Sequence, residues 1–295
     1  MKIGTMSIVC GTTACNAKCP FCVSKMTPTA DLDSTHVNWR NLGVACKLAD
    51  KAGATTCLIT GKGEPTLYPD LITEYVKYAR DYFPFIELQT NGMKLKDLGN
   101  TSYMGKDDIA PRQMSHLEVW YKLGLTTICL SAVHYKRGLN QEVYSLEYPD
   151  LAETLALLHS IGFSVRISMM LLKGGIDTPQ EIDNLVNFCL ENKVKQLTVR
   201  PIDVPPDSKN NISNWVGRHT LSSDEVNAIT YHIKTTGTPV LHLSHGATIY
   251  DYKGQNLCLS NCLTTNDTDE NIRQIIYYPD GTISCDWKYK GAILL

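Results

Sequence analysis

Short apolar, β-branched runs alternate with longer amphipathic stretches along most of the chain. The runs Met6–Cys10, Thr56–Thr60, Phe85–Gln89, Thr127–Val133, Ser164–Leu172 and Gln196–Ile202 predict strands. Between them, Val37–Lys51, Asp70–Tyr82, Met114–Leu123, Leu151–Ile161 and Pro179–Asn192 predict helices. In the fourth of these, Leu151, Leu155 and Leu158 recur at helical spacing and supply the side that packs on a sheet. Repeated βα units of this kind build a parallel α/β sheet. Six of them make a partial barrel rather than a closed eightfold one. After Asp203 the pattern breaks: Pro205–Asn211 reads as a turn-rich linker, Ser222–Lys234 as a last helix and Thr238–Leu243 as a strand. Beyond Ala247 no helical period appears. The expected organisation is a barrel domain over residues 1–246 and a small extension over 247–295.

The polar motifs gather at one end of this pattern. In parallel barrels of the TIM type the active site forms at the carboxyl ends of the strands. Cys15, Cys19 and Cys22 follow strand one, Gly61-Lys62-Gly63-Glu64-Pro65 follows strand two, and Thr90-Asn91-Gly92 follows strand three. Ser131 to His134 closes strand four, Arg166 and Ser168 lie on strand five, and Arg200 lies on strand six.

The cysteine spacing carries the most chemistry. Three thiolates can hold three irons of a cubane [4Fe-4S] cluster and leave the fourth open, whereas an electron-carrying cluster takes four. Asn16, Ala17, Lys18 and Pro20 suit the tight loop that lets these side chains converge. The alternative is a non-catalytic zinc-binding module, with a fourth Cys or His completing a tetrahedron.

Cys-x3-Cys-x2-Cys with Phe21 before the last cysteine resembles the signature of the radical S-adenosylmethionine (SAM) superfamily. That resemblance implies an enzyme in which the open iron binds SAM, and one electron cleaves it to a 5′-deoxyadenosyl radical that removes a hydrogen atom from substrate. It also implies SAM contacts. Gly61, Gly63 and Glu64 resemble the family's Gly-Gly-Glu-Pro motif, with Lys62 interrupting the glycine pair, a change that is harmless where its side chain turns away. Thr90 and Asn91 resemble its Thr-Asn-Gly, and Ser131 its serine near the end of strand four. Val165–Met169 and the run from Arg200 to Pro206 resemble the molybdenum-cofactor GTP 3′,8-cyclases: the resemblance puts Arg166 at that family's lysine, suited to the SAM carboxylate, and Ser168 at its asparagine, while Arg200 either joins the cofactor contacts or pairs with Asp203 or another buried acid. His134 and Tyr135 lie just beyond strand four, where either faces substrate or solvent.

Near the C-terminus stand Cys258, Cys262 and Cys285, the last after an Asp280-Gly281 pair that reads as a hairpin turn. They resemble the Twitch region of the cyclases and their relatives, where three cysteines hold an auxiliary [4Fe-4S] cluster; zinc and a disulfide formed in air are the alternatives. Between the last two, only Arg273 stands where the cyclases carry several phosphate-gripping arginines, and the chain lacks their Gly-Gly tail, which disfavours GTP cyclisation.

Composition narrows the partners. The formal charge is −2 over 295 residues, so no global positive field favours nucleic acid. No apolar run approaches the ~18 residues of a membrane span. The cysteines at metal-ligand spacing point to a reducing, cytoplasmic setting. Cys46, Cys57, Cys129 and Cys189 sit in apolar segments and read as buried thiols. A small-molecule or nucleotide-like substrate and an electron donor such as flavodoxin or ferredoxin are the expected partners, with peptide modification as an alternative.

Overall fold

A computed structural model describes residues 2–25, 27, 36–104, 114–202, 211–243, 246–260 and 271–295. β1 (Lys2–Val9) leads through the cysteine loop to α1 (Trp39–Lys51), and β2 (Thr56–Thr60) leads to α2 (Pro69–Ala79). Next come β3 (Phe85–Thr90) with α3 (Leu95–Asn100) and α4 (His116–Leu123), then β4 (Thr127–Ala132) with α5 (Arg137–Val143) and α6 (Leu151–Ile161). β5 (Ser164–Leu171) is followed by α7 (Pro179–Glu191), and β6 (Gln196–Pro201) by α8 (Asn211–His219) and α9 (Ser223–Thr236). The chain ends in β7 (Thr238–His242), β8 (Thr248–Tyr252), β9 (Gln255–Leu259), β10 (Asn271–Tyr277) and β11 (Ile283–Ser284).

All these strands share one sheet, in the order β11-β10-β1-β2-β3-β4-β5-β6-β9-β8-β7. β1 to β6 run parallel in chain order, the partial-barrel α/β architecture that six βα units predict. The region after Ala247 extends that sheet at both ends. β10 pairs parallel to β1 and β9 parallel to β6, while β11, β8 and β7 add antiparallel strands outside them. The sheet is not closed, yet residues of β9 and β10 line one common cavity, so its two ends curl towards each other.

Alternation along the strands sorts the two faces. Ile59, Ile86, Ile128, Val165 and Leu197 are fully buried in one core with Ile72, Val76, Trp120, Leu155, Leu158 and Leu185 of the surrounding helices. Burying each such side chain is worth about 1.5–3 kcal/mol. The residues between them, among them Thr56, Glu87, Arg166, Thr198 and Asn256, face inward. Helix ends are set by local chemistry. Ser115 and Glu118 form a reciprocal capping box at the start of α4, and Gly124 ends that helix at φ 111°, where a side chain would be strained. Trp120 Nε1 then donates to Thr73 Oγ1 at 2.9 Å, tying α4 to α2.

Candidate active site at the mouth of the barrel

The loops after the first three strands are stitched into one unit. Glu64 N donates to Ala14 O at 2.9 Å, and Lys18 N donates to Tyr144 O at 2.8 Å, fixing the cysteine loop from both sides. Asn91 Nδ2 donates to Asn16 Oδ1 at 2.8 Å and lies 3.9 Å from Cys15 Sγ. Gly63 faces the Ala14 carbonyl so closely that a Cβ would overlap it, which is why glycine stands there. Gly61 packs beneath, where a Cβ would sit 3.0 Å from Cys10 O.

Glu64 is the hub of this unit and is 3% exposed. Its Oε1 accepts from Thr66 N (3.0 Å), Thr66 Oγ1 (2.6 Å) and Thr90 Oγ1 (2.6 Å), and its Oε2 from Asn91 N (2.9 Å). Burial pushes its carboxyl above the usual range, against the pull of those donors. Glu64, Thr90 and Asn91, all expected at SAM, thus meet each other and fix the second and third loops against the first.

The three N-terminal cysteines are neighbours at this rim. Burial pushes the Cys19 thiol up to about 12, and the nearby Cys22 and Cys15 sulfurs push the same way. Positive charge from a bound metal centre would reverse that balance. Phe21 is buried beside them, edge-on to Tyr144 at 6.0 Å and packed on Trp215 at 6.0 Å, which accounts for the aromatic residue in the motif.

The opposite wall, from β4 to β6, carries buried donors with no protein partner. Ser168 Oγ, Arg200 Nε and the Tyr144 hydroxyl are each buried without a hydrogen bond among the described residues. Ser168 on β5 pairs with Thr198 of β6, two residues before Arg200, so the two face the interior as diagonal neighbours. Tyr144 lies within electrostatic reach of Cys19, Cys22 and Arg200. Ser131 sits in register with Ser168, its carbonyl accepting from the Tyr148 hydroxyl at 2.8 Å. Tyr144 carries no sequence signal beyond being one tyrosine among many; only the fold brings it here.

Arg166 lies deeper in the barrel. Its Nε donates to Glu87 Oε2 at 2.8 Å, its Nη2 to Glu87 Oε1 at 2.5 Å and its Nη1 to Thr198 Oγ1 at 3.2 Å. Lys62 does not turn away from the site. It is 5% exposed, its Nζ donates to Thr27 Oγ1 at 2.7 Å and stands 5.5 Å over the Trp287 ring. His134 and Tyr135 are engaged locally: His134 Nδ1 accepts from Lys136 N, and the Tyr135 hydroxyl donates to Glu181.

Of the C-terminal cysteines, Cys258 on β9 lines the cavity beside Arg166 and Arg273. Cys285 follows β11 at the other end of the strand order, its Sγ donating to Ala292 O at 3.5 Å. Trp287, two residues further on, lines the same cavity as Cys258. Cys262 lies outside the described residues, as does Asp203. The Asp280-Gly281 turn is present, with Gly281 at φ 98°. Cys46, Cys57, Cys129 and Cys189 are buried, and none of the described cysteines forms a disulfide. Among the described residues no three Cys, His, Asp or Glu side chains form a site for one metal ion, and no helix is long and apolar enough to cross a membrane.

Several solved structures share this fold. SuiB of Streptococcus suis bound to S-adenosylmethionine aligns with a TM-score of 0.60 at 16% identity, covering 98% of this chain and 61% of SuiB. SuiB bound to its precursor peptide SuiA aligns at 0.58, again at 16% identity, over 97% of this chain and 60% of that one. The protein anSMEcpe with bound AdoMet aligns at 0.57 and 13% identity, over 98% of this chain and 75% of that one. The chain thus spans about three fifths of the length of SuiB. No curated protein matches at the sequence level. The radical SAM superfamily model matches residues 9–189, which contain the three-cysteine loop, the Gly61–Pro65 loop and strands β2 to β5. On that match and the geometry of the loops it spans, the chain belongs to the radical SAM superfamily, which implies a [4Fe-4S] cluster and SAM as cofactors.

Proposed function

We propose that the chain is a radical SAM enzyme in which Cys15, Cys19 and Cys22 hold the SAM-binding [4Fe-4S] cluster. When bound and reduced by one electron, SAM supplies a 5′-deoxyadenosyl radical that abstracts a hydrogen atom from substrate. The protein's part is to orient, exclude water and present donors. Three buried donors without partners, Ser168 Oγ, Arg200 Nε and Tyr144 Oη, carry this reading. Buried donors of this kind mark a missing acceptor, and the carboxylate and ribose of SAM supply such acceptors. Arg200 is assigned to the carboxylate, with Ser168 and Ser131 on the same wall. Gly61, Gly63 and the loop that Glu64, Thr90 and Asn91 fix would shape the opposite side for the methionyl group. Arg166 is assigned to the interior, below SAM.

A small-molecule substrate fits the cavity inside the barrel, which Thr56, Gln196, Thr198 and Asn256 help to line, and an electron donor such as flavodoxin or ferredoxin would supply the electron in the cytoplasm. Cys258, Cys262 and Cys285 are proposed to hold an auxiliary cluster, with 247–295 as a Twitch-like extension of the 1–246 barrel; iron content should fall by half when they are replaced. Peptide modification is the second reading, favoured by the likeness to SuiB, and a mass-shift screen of metabolites against peptides separates the two. Anaerobically reconstituted, dithionite-reduced protein should convert SAM to 5′-deoxyadenosine, and alanine at Cys15, Cys19 or Cys22 should abolish this. Undiminished conversion in any of those variants would refute the assignment.

A further inference from the structure

Tyr144 caps the C-terminal end of α5, its N donating to Asn140 O at 2.8 Å. Carbonyls at a helix C-terminus need donors from elsewhere, and that of Tyr144 accepts from Lys18 N at 2.8 Å, next to Cys19. The main chain of this residue is thus tied to the cysteine loop itself. Its ring is fixed as well. Tyr144 is buried, edge-on at 6.0 Å to Phe21, the residue before Cys22, and tilted at 5.1 Å against Tyr148.

The two neighbouring tyrosines use their hydroxyls differently. Tyr148 Oη donates to Ser131 O at 2.8 Å, whereas Tyr144 Oη finds no acceptor among the described residues. A buried hydroxyl in that position carries its full desolvation cost, which native structures rarely leave uncompensated. Four titratable groups lie within its electrostatic reach: Cys19, Tyr148, Arg200 and Cys22. Tyr148 is committed to Ser131, and a guanidinium only donates. What remains is the sulfur side, and both cysteines belong to the trio proposed to hold the cluster.

We propose that the Tyr144 hydroxyl donates a hydrogen bond to a sulfur of the SAM-binding cluster, on its Cys19 and Cys22 side, and thereby raises the reduction potential of that cluster. The inference rests on the radical SAM reading of the same loop. An added electron increases the negative charge on the sulfurs, so a fixed donor favours the reduced form over the oxidised one. Burial pushes the phenol well above the usual tyrosine range, which keeps the proton on the oxygen. The wall then divides its work: Arg200 and Ser168 serve SAM, and Tyr144 serves the iron centre that reduces it.

The test is a redox titration followed by electron paramagnetic resonance, on the anaerobically reconstituted full chain carrying Cys258→Ser and Cys285→Ser, so that the N-terminal cluster alone is read. SAM is omitted, so a hydroxyl that bonds SAM instead of sulfur would show as an unmoved midpoint. Tyr144→Phe keeps the ring against Phe21 and Tyr148 and removes only the hydroxyl. At unchanged iron content it should lower the equilibrium constant for one-electron reduction about tenfold, a fall of about 59 mV in midpoint. A ring-fluorinated tyrosine at position 144, a stronger donor of nearly the same shape, should move the midpoint the other way, and it serves where Tyr144→Phe does not load iron. Tyr148→Phe, which gives up a bond to a backbone carbonyl, should leave the midpoint in place. A midpoint indifferent to the change at Tyr144, or shifted as far by Tyr148→Phe, overturns the proposal. SAM cleavage is measured on the same preparations. Cleavage with an indifferent midpoint defeats the Tyr144 assignment alone, the predicted shift without cleavage defeats the radical reading alone, and a chain that assembles no four-iron cluster defeats both.

Discussion

Glu64 concentrates the site's dependence on single atoms. A carboxylate offers acceptors only, and here both oxygens accept from buried donors. Glu64→Gln keeps the shape but turns an NH2 towards one of those donors. We expect a loss of about 1–3 kcal/mol in unfolding free energy, read by urea denaturation, together with poorer cluster retention as the cysteine loop loosens. Sequence placed Glu64, Thr90 and Asn91 at one rim because each follows a strand end. That they bond to one another was hidden, since Thr90 and Asn91 lie 26 and 27 positions from Glu64. The Arg166 pair with Glu87, 79 positions apart, was equally invisible, and so was the inward turn of Lys62. Their partners come from neighbouring strands and loops that only the assembled sheet brings close.

The elements themselves were legible wherever local periodicity and end signals agree. β1 to β6 and their main helices announce themselves as apolar runs and helical spacing, and α4 adds a capping box. Ser115→Ala removes that cap and should cost about 1 kcal/mol, seen as a lower urea midpoint with unchanged slope. β8, β9 and β10 left no such mark. They are no shorter than β2, but β10 opens with the polar side chains of Asn271, Arg273 and Gln274. Their places are set by partners far away in the chain, β10 beside β1 and β9 beside β6. Local pattern cannot encode such register. α5 is similar. It is short and polar, and it is anchored by Asn140, whose Oδ1 accepts from Val133 N and His134 N while its Nδ2 donates to His134 O and Lys136 O.

For the molecule as a whole, pH couples to stability through His116 and His134. Burial holds both imidazoles below the usual histidine range, against weaker opposing pulls from Asp70 and Glu181. Below about pH 6.5 the unfolded chain therefore takes up protons that the folded one does not. Their stabilising contribution is complete above that value and declines as pH falls towards the folded-state values. Urea midpoints should drop between pH 7.5 and 5.5, and His116→Gln should flatten part of that slope; an unchanged slope would contradict the assignment. The whole-molecule claim is that a curled sheet brings a three-cysteine loop and a wall of waiting donors to one rim. Electron paramagnetic resonance of the anaerobically reconstituted, dithionite-reduced chain tests it most directly, in a Cys258→Ser, Cys285→Ser background that leaves the N-terminal cluster alone. A [4Fe-4S] signal whose shape changes when SAM is added is the expected result. A signal that SAM leaves untouched would contradict it.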